Sequence, residues 1–314
     1  MGRWDISDPD RVHSGDQRQP AQEGRGNAST DSVSMGRGGS SESAADELSE
    51  RHRTVADRAS AGRDRRTQHV DRGRNYSLRS TEIAALADIG RFRTVDVRDL
   101  ARFVYNGDQA RMKNDLQNLR KQGLIEEKNV LRAHKTPRRM VTLTEPGARL
   151  VRKAGGLPLS QRIYHGFVKP REVEHDADLY KVYQKAIEKI AEKGGKAIRV
   201  RLDFELKESI NRSKEAAGRL PEAMREGWLA AVAEEHGLSS DGRRIHLPDV
   251  QVEYQMPDGR IERENLELVS RNYREQGIRG KAAAGFSMYA RSADSARIRR
   301  ALRDTGLMRE VLSV

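Results

Sequence analysis

The sequence predicts an α+β protein in three parts: a low-complexity tail, a helix-rich basic domain, and a domain mixing helices with short strands. Three observations carry this. Apolar periodicity is absent before Ser77, runs at helical spacing beyond it, and changes to strand alternation at Ala197 and again near Ile245. The charge is uneven. Lys+Arg 59 against Asp+Glu 47 gives +12 overall, yet residues 1–76 are neutral, residues 77–155 carry 17 basic against 9 acidic groups, and residues 156–314 carry 29 against 25. Finally, 314 residues leave room for about two domains at roughly 150 residues each.

Residues 1–76 are rich in Ser, Gly, Asp, Arg and Gln, and a stretch such as GRGNASTDSVSMGRGGSSES cannot bury enough surface to offset chain entropy. A disordered tail is expected there, with a short helix around Ala44–Arg58 and a basic run from Arg51 to Arg74. The N-terminal MGRWDISDPD has no apolar secretory core, and no run reaches the ~18–20 apolar residues of a membrane span. Cysteine is absent, which excludes disulfides, thiolate nucleophiles and cysteine-ligated zinc. A cytoplasmic protein is expected.

From Ser77, the residues Leu78, Ile83, Leu86, Ala87 and Ile89 predict a helix capped by Ser80 or Thr81 and stopped at Gly90. A second amphipathic segment follows with Val95, Val97, Leu100, Ala101 and Val104. Tyr105-Asn106-Gly107 reads as a tight turn, and Asp108 caps a third helix with Met112, Leu116 and Leu119 inside. Its other face carries Arg111, Lys113, Asn114, Gln117, Asn118, Arg120 and Lys121. Two strand-like runs, Leu124–Leu131 and Arg139–Leu143, flank a loop with Arg132, His134, Lys135 and Arg138. Thr144-Glu145-Pro146 then opens another helix. This order is that of a winged helix-turn-helix over residues 77–155. Asn, Gln and Arg on the third helix would meet base edges, while Arg132, Lys135, Arg138 and Arg139 of the wing would neutralise phosphates of double-stranded DNA.

Residues 156–172 read as a linker to a second domain at 173–292. His175–Lys193 is a helix, and His175 reads as capping or packing its start. Ala197–Leu206 alternates as a strand, with Ile198, Val200, Leu202, Phe204 and Leu206 inward and Arg199, Arg201, Asp203 and Glu205 outward. Residues 207–237 form a helical insertion. The phase of alternation switches at Pro248-Asp249, which aims Asp249 out of the strand, and Asp258-Gly259 makes a hairpin turn. The returning strand carries Leu266 and Leu268 on one face and Asn265, Glu267 and Val269 on the other. A helix follows over Ile278–Ala290 with Lys281, Phe286 and Tyr289, and residues 293–314 are expected to form a C-terminal helix.

Helix, strand, strand with Pro-Asp, strand with a carboxylate, helix is the layout of a restriction-endonuclease-like PD-(D/E)XK core. Asp249 and Glu267 would hold Mg²⁺, and a lysine would orient the attacking water. The lysine position two residues after the glutamate is Val269, so Lys281 would have to reach the site from the next helix. His246 has no second ligand nearby in sequence, and GKAAAG lacks the spacing and preceding strand of a phosphate loop.

Five segments resemble the plasmid replication-relaxation family of bacterial mobile elements: LTEPGARLV (Leu143–Val151), EHDADLYKVY with His175, LPDVQVEY (Leu247–Tyr254), LELVS (Leu266–Ser270) and KAAAGFSMY (Lys281–Tyr289). The resemblance covers roughly residues 77–290. It implies a winged helix fused to a nuclease-like domain, with Asp249, Glu267 and Lys281 at the site positions. It further implies action at a plasmid origin or transfer region, with a relaxase or replication protein as partner. Two other functions are open: a Mg²⁺-dependent endonuclease or nickase, and a transcriptional regulator of its own operon.

Overall fold

The first strands lie ahead of the boundary expected at residue 77. The structure is a computed structural model that describes residues 65–132, 135–168, 170–218, 227–241, 244–269, 273–291, 295–296, 298–300 and 312–313. Thr67–Asp71 (β1) and Arg74–Leu78 (β2) pair as an antiparallel hairpin. Arg72 and Gly73 turn it with φ of 48° and 74°, a handedness that suits the twist of a two-stranded ribbon. Tyr76 and Leu78 are buried, and Asp71 is clasped by Arg149 (3.0 Å) and Lys153 (2.5 Å). The expected tail is therefore corrected from residue 67 onward: its ties are ion pairs to a helix some eighty residues on, which composition does not reveal. The helix expected at Ala44–Arg58 lies outside the described residues.

Ser80–Arg91 (α1) is capped by Arg79 rather than Ser80 or Thr81, with the Glu82 carboxylate accepting the Arg79 N–H at 2.7 Å. Gly90 does not stop this helix but lies within it. A Cβ there would come 2.8 Å from Ile163 Cγ2 and 2.9 Å from Leu143 Cδ1, so glycine permits the close approach. Val95–Asp96 (β3) leads into Val97–Phe103 (α2), capped by Asp96, and Gln109–Lys121 (α3) is capped by Asp108. Ile125–Arg132 (β4) and Lys135–Leu143 (β5) pair antiparallel, and β3 joins them in the order β3-β5-β4. Thr144 caps Glu145–Ala154 (α4) through the Gly147 N–H.

The expected linker at 156–172 is a strap bonded on both sides. Tyr164 N–H donates to Gly90 O (2.8 Å) and Gly166 N–H to Leu143 O (2.9 Å). On the other side the Gln161 amide brackets Val200, accepting its N–H at 2.8 Å and donating to its carbonyl at 3.1 Å. A side chain thus satisfies backbone groups that an edge strand would leave open.

Pro170–Glu192 (α5) begins five residues before the expected start, so His175 lies inside it. Lys196–Leu202 (β6), Val250–Gln255 (β7) and Ile261–Val269 (β8) run antiparallel. Ser287–Ala290 (β9) and Leu312–Ser313 (β10) add in parallel, giving the order β10-β9-β8-β7-β6. Three expectations are corrected here. The strand at 197–206 ends at Leu202, where Glu205 reaches back to the Leu202 N–H (3.3 Å) and Asp203–Gly218 (α6) begins. Its supposed outward residues Arg201 and Glu205 are buried. The helix at 278–290 is instead Glu275–Ala283 (α8), a left-handed Gly285 (φ 89°) and then β9. Leu312–Ser313 is a strand, while most of the expected C-terminal helix lies outside the described residues, as does 219–226 between α6 and Trp228–Glu235 (α7).

The two expected domains share one hydrophobic core. Tyr180 and Tyr183 of α5 meet Phe92 at 5.4 and 5.0 Å, and Phe103 stands edge-on to Tyr180 at 5.9 Å. Each such aromatic pair adds about 0.5–1.5 kcal/mol beyond its burial. The Tyr180 hydroxyl donates to Asp88 at 2.8 Å, so its buried polar end is satisfied.

Candidate nucleic-acid interface and carboxylate site

The outward face of α3 follows from the turn before it. Asn106 (φ 50°) and Gly107 (φ 87°) reverse the chain after α2, and the Asp108 side chain accepts the Arg111 N–H at 2.9 Å. Met112, Leu116 and Leu119 are buried, and Asp115 beneath them is held by Arg79 (2.7 Å) and Thr81 (2.9 Å). Lys113, Asn114, Gln117, Arg120 and Lys121 are exposed.

Not every residue expected on that face is available. Asn118 turns inward, donating to Glu82 at 2.8 Å and to Ser77 O at 3.3 Å, and Arg111 stands 3.5 Å from Thr81 Oγ1. Burial pushes the Glu82 carboxyl above its ordinary range, against the bonds from Arg79 and Asn118. A groove runs between α3 and the β4–β5 hairpin, lined by Lys113, Gln117, Arg120, Glu127, Lys128, Asn129 and Arg139. Four cations face one carboxylate there. Glu127 holds Arg139 by two bonds (2.7 and 3.2 Å), and Lys128 lies over the Phe167 ring at 4.5 Å.

Arg138 is a correction: it does not face outward with the wing. Its guanidinium donates to Asp96 (2.7 Å) and Asp178 (3.3 Å), with Asp178 also held by Arg291 at 2.5 Å. Neighbouring strand residues point to opposite faces, so Arg138 enters the junction with α5 while Arg139 stays out. Nearby Asp99 is raised to about 6 by burial, with Lys181 working against the shift. The Arg132 and Lys135 side chains lie outside the described residues.

At the far end of the large sheet, Asp249, Glu267 and Lys281 come together. Asp249 stands at the mouth of β7, and its Oδ2 accepts the Leu268 N–H at 2.9 Å. Glu267, on β8, is fully buried. Its Oε2 meets Lys281 Nζ at 3.0 Å and the Asp249 N–H at 3.3 Å, while the Tyr273 hydroxyl donates to Oε1 at 2.5 Å. Lys281 also donates to Leu247 O. Val269, at the usual lysine position, is packed with Ile278 and Phe286. Two members had not been expected at this site: Tyr273, and His175, whose Nε2 lies 3.9 Å from Asp249 Oδ2. Burial raises both carboxyls. The Asp249 charge adds to the shift at Glu267, and Lys281 opposes it in both.

Two carboxylates on adjacent strands are the donor chemistry that Mg²⁺ takes. As arranged they do not fit the ion. Both Glu267 oxygens already hold donors, the Lys281 ammonium occupies the cation's place beside Oε2, and among the described residues no group of three or more acidic or histidine side chains could hold a metal.

Among the described residues no helix is long and apolar enough to cross a membrane. No protein-family model matches the chain, and no characterised protein matches it in sequence. One solved structure similar to it is Bacillus subtilis PadR in complex with operator DNA. The two are 13% identical, the match covers 49% of this chain and 91% of that one, and the TM-score is 0.21. At that score the overlap does not define a shared fold.

Proposed function

We propose that this protein binds double-stranded DNA through a winged helix, with α3 in the major groove and the β4–β5 hairpin on the flanking phosphates. The single observation that carries this is the exposed strip Lys113, Asn114, Gln117, Arg120 and Lys121, continued across the groove by Lys128 and Arg139. Amides at its centre suit base edges and cations around them suit phosphates. The order α1-β3-α2-α3-β4-β5 supports the winged-helix reading. In its fuller form the proposal places the protein at a plasmid origin or transfer region, beside a relaxase or replication protein. That part is supported by the motif resemblance alone. An operon regulator would use the same surface.

The full chain titrated against labelled duplex tests the proposal. Each lost phosphate contact lowers the slope of log affinity on log salt by about 0.9. K113A/R120A should therefore weaken binding and flatten that slope by about 1.8. Binding that ignores both the substitutions and the salt would overturn it.

A second reading, a PD-(D/E)XK-like endonuclease or nickase, is favoured by one observation: Asp249, Glu267 and Lys281 converge on a sheet in which β6–β8 run antiparallel and β9 returns parallel after α8. Nicking of supercoiled plasmid that needs Mg²⁺ and disappears in Asp249→Ala would establish this reading. A band shift in EDTA with no nicking in Mg²⁺ would leave the binding module.

A further inference from the structure

A second basic hollow lies away from α3, where the edge strand β6 meets the strap, the end of α4 and the start of α6. Arg152, Arg162, Arg199, Arg201 and Arg212 line it, against Glu205 and Glu208. The two carboxylates are largely engaged. Glu208 pairs with Arg162 at 2.7 Å, and Glu205 accepts the Tyr164 hydroxyl and the Leu202 N–H, leaving Arg199 at 3.9 Å. Arg201 is tied to Gln251 and to Glu253 (3.0 Å), and its side chain is only 8% exposed. Yet the Nε–H groups of Arg199 and of Arg201 are both buried without an acceptor. Unpaired buried donors are rare because each forfeits its bond to water, so two on neighbouring guanidiniums in one hollow require an explanation.

Five guanidiniums against two engaged carboxylates make an anion the natural occupant. The guanidinium fork matches the oxygen geometry of phosphate better than that of a monatomic anion. Crowding adds to the demand: burial and the neighbouring cations Arg199 and Arg263 disfavour the charged form of Arg201, with Glu253 opposing them. We propose that this hollow is a phosphate-binding site, with Arg199 and Arg201 as its floor and the exposed Arg212 at its rim. Its occupant carries a phosphate group, either in a small phosphorylated compound or in a nucleic-acid backbone. The site stands whether or not α3 meets DNA, since it uses none of the same residues.

The test is calorimetric titration of the full chain with inorganic pyrophosphate at low salt in EDTA. One-to-one binding is expected, weakened about tenfold or more in R199Q and in R212Q, because charge-assisted bonds to phosphate are the strong ones. K113A/R120A should leave it unchanged. R201Q would also remove one partner each of Glu253 and Gln251, which keep Arg263 and Asn265, so the two milder variants, checked for native circular dichroism, carry the test. Competition by a short duplex would assign the site to backbone phosphate. Binding unaffected by the duplex would assign it to a small phosphorylated compound. Absence of pyrophosphate binding at millimolar concentration, or equal binding by folded R199Q and R212Q, would overturn the proposal.

Discussion

Arg138→Met separates two roles that one residue cannot hold together: contact with DNA phosphate and fastening of the helical unit to α5. The Arg138 side chain is 13% exposed, and the carboxylates it meets, Asp96 and Asp178, are 2% and 6% exposed. Stranding a buried charge typically costs about 3–5 kcal/mol. Here both carboxylates retain partners. Asp96 keeps Arg98 (3.1 Å) and its helix-capping bond, and Asp178 keeps Arg291 and Lys181. The expected loss is therefore nearer ~2–3 kcal/mol, or about 5–10 °C in Tm for a unit of this size. The pH dependence has a definite sign. Burial pushes the Asp96 carboxyl up, but the bonds from Arg98 and Arg138 outweigh it and hold it below the ordinary value of 3.8. Such a group stabilises the fold above its unfolded pKa and loses that contribution as pH falls through the folded one. The gap between wild type and R138M in urea unfolding should thus be widest at pH 7 and narrow below about pH 4. DNA affinity, measured well below the variant's Tm, should not change. A folded R138M with native stability and a salt slope reduced by about one would refute the burial argument and return Arg138 to the wing.

Three further outcomes are expected. Glu127→Gln releases Arg139 from its carboxylate clamp, so duplex affinity should rise about threefold at low salt with a steeper salt slope, measured by fluorescence anisotropy. Gly147→Ala would place a Cβ 2.1 Å from Leu124 O, a backbone atom that cannot step aside, and should lower stability in urea by about 2–3 kcal/mol. Glu267 is raised to about 7, first by burial and then by Asp249. Between its ordinary 4.5 and 7 the native state keeps a proton that the unfolded chain has released, and stability falls as pH rises across that window. Glu267→Gln should flatten the Tm profile between pH 5 and 7; a profile parallel to wild type would contradict the assignment.

How much of this could be read in advance depends on how local each signal is. The Asn106-Gly107 turn, the Asp108 cap and the Met112–Leu116–Leu119 stripe all act within a few residues, and the structure has them where expected. The β1–β2 hairpin rests on Asp71 meeting Arg149 and Lys153, a non-local ion pair in a stretch with the composition of a linker. Strand parity could have separated Arg138 from Arg139, since one of two neighbours must point inward. The short strand β9 sits within an apolar run that periodicity cannot distinguish from a buried helix; Gly285 was the available sign of a break. Around the carboxylates, the phase switch at Pro248-Asp249 pointed to Asp249, and the missing lysine at Val269 pointed to Lys281. His175 and Tyr273 come from separate elements, and only folding brings them close.

The helix α5 decides whether these surfaces can act as one object. Within a few turns it carries His175 facing Asp249, Asp176 bonded to Arg93 (2.8 Å), Asp178 between Arg138 and Arg291, and Tyr180 against Phe92 and Phe103. Its partners therefore lie both in the helical unit that holds α3 and at the carboxylate end of the large sheet. A free linker at 156–172 would let those two move independently. The strap instead bonds Gly90 and Leu143 on one side and Val200 on the other, while the apolar core runs unbroken between them. Close-packed interiors do not deform continuously, so repositioning α3 against the sheet would require breaking the Phe92–Tyr180–Tyr183 cluster and the Arg138 pairs together. The groove of α3 and the site of Asp249 and Glu267 are thus held in fixed relation, and a duplex seated on α3 as proposed would stand at a set angle and distance from those carboxylates.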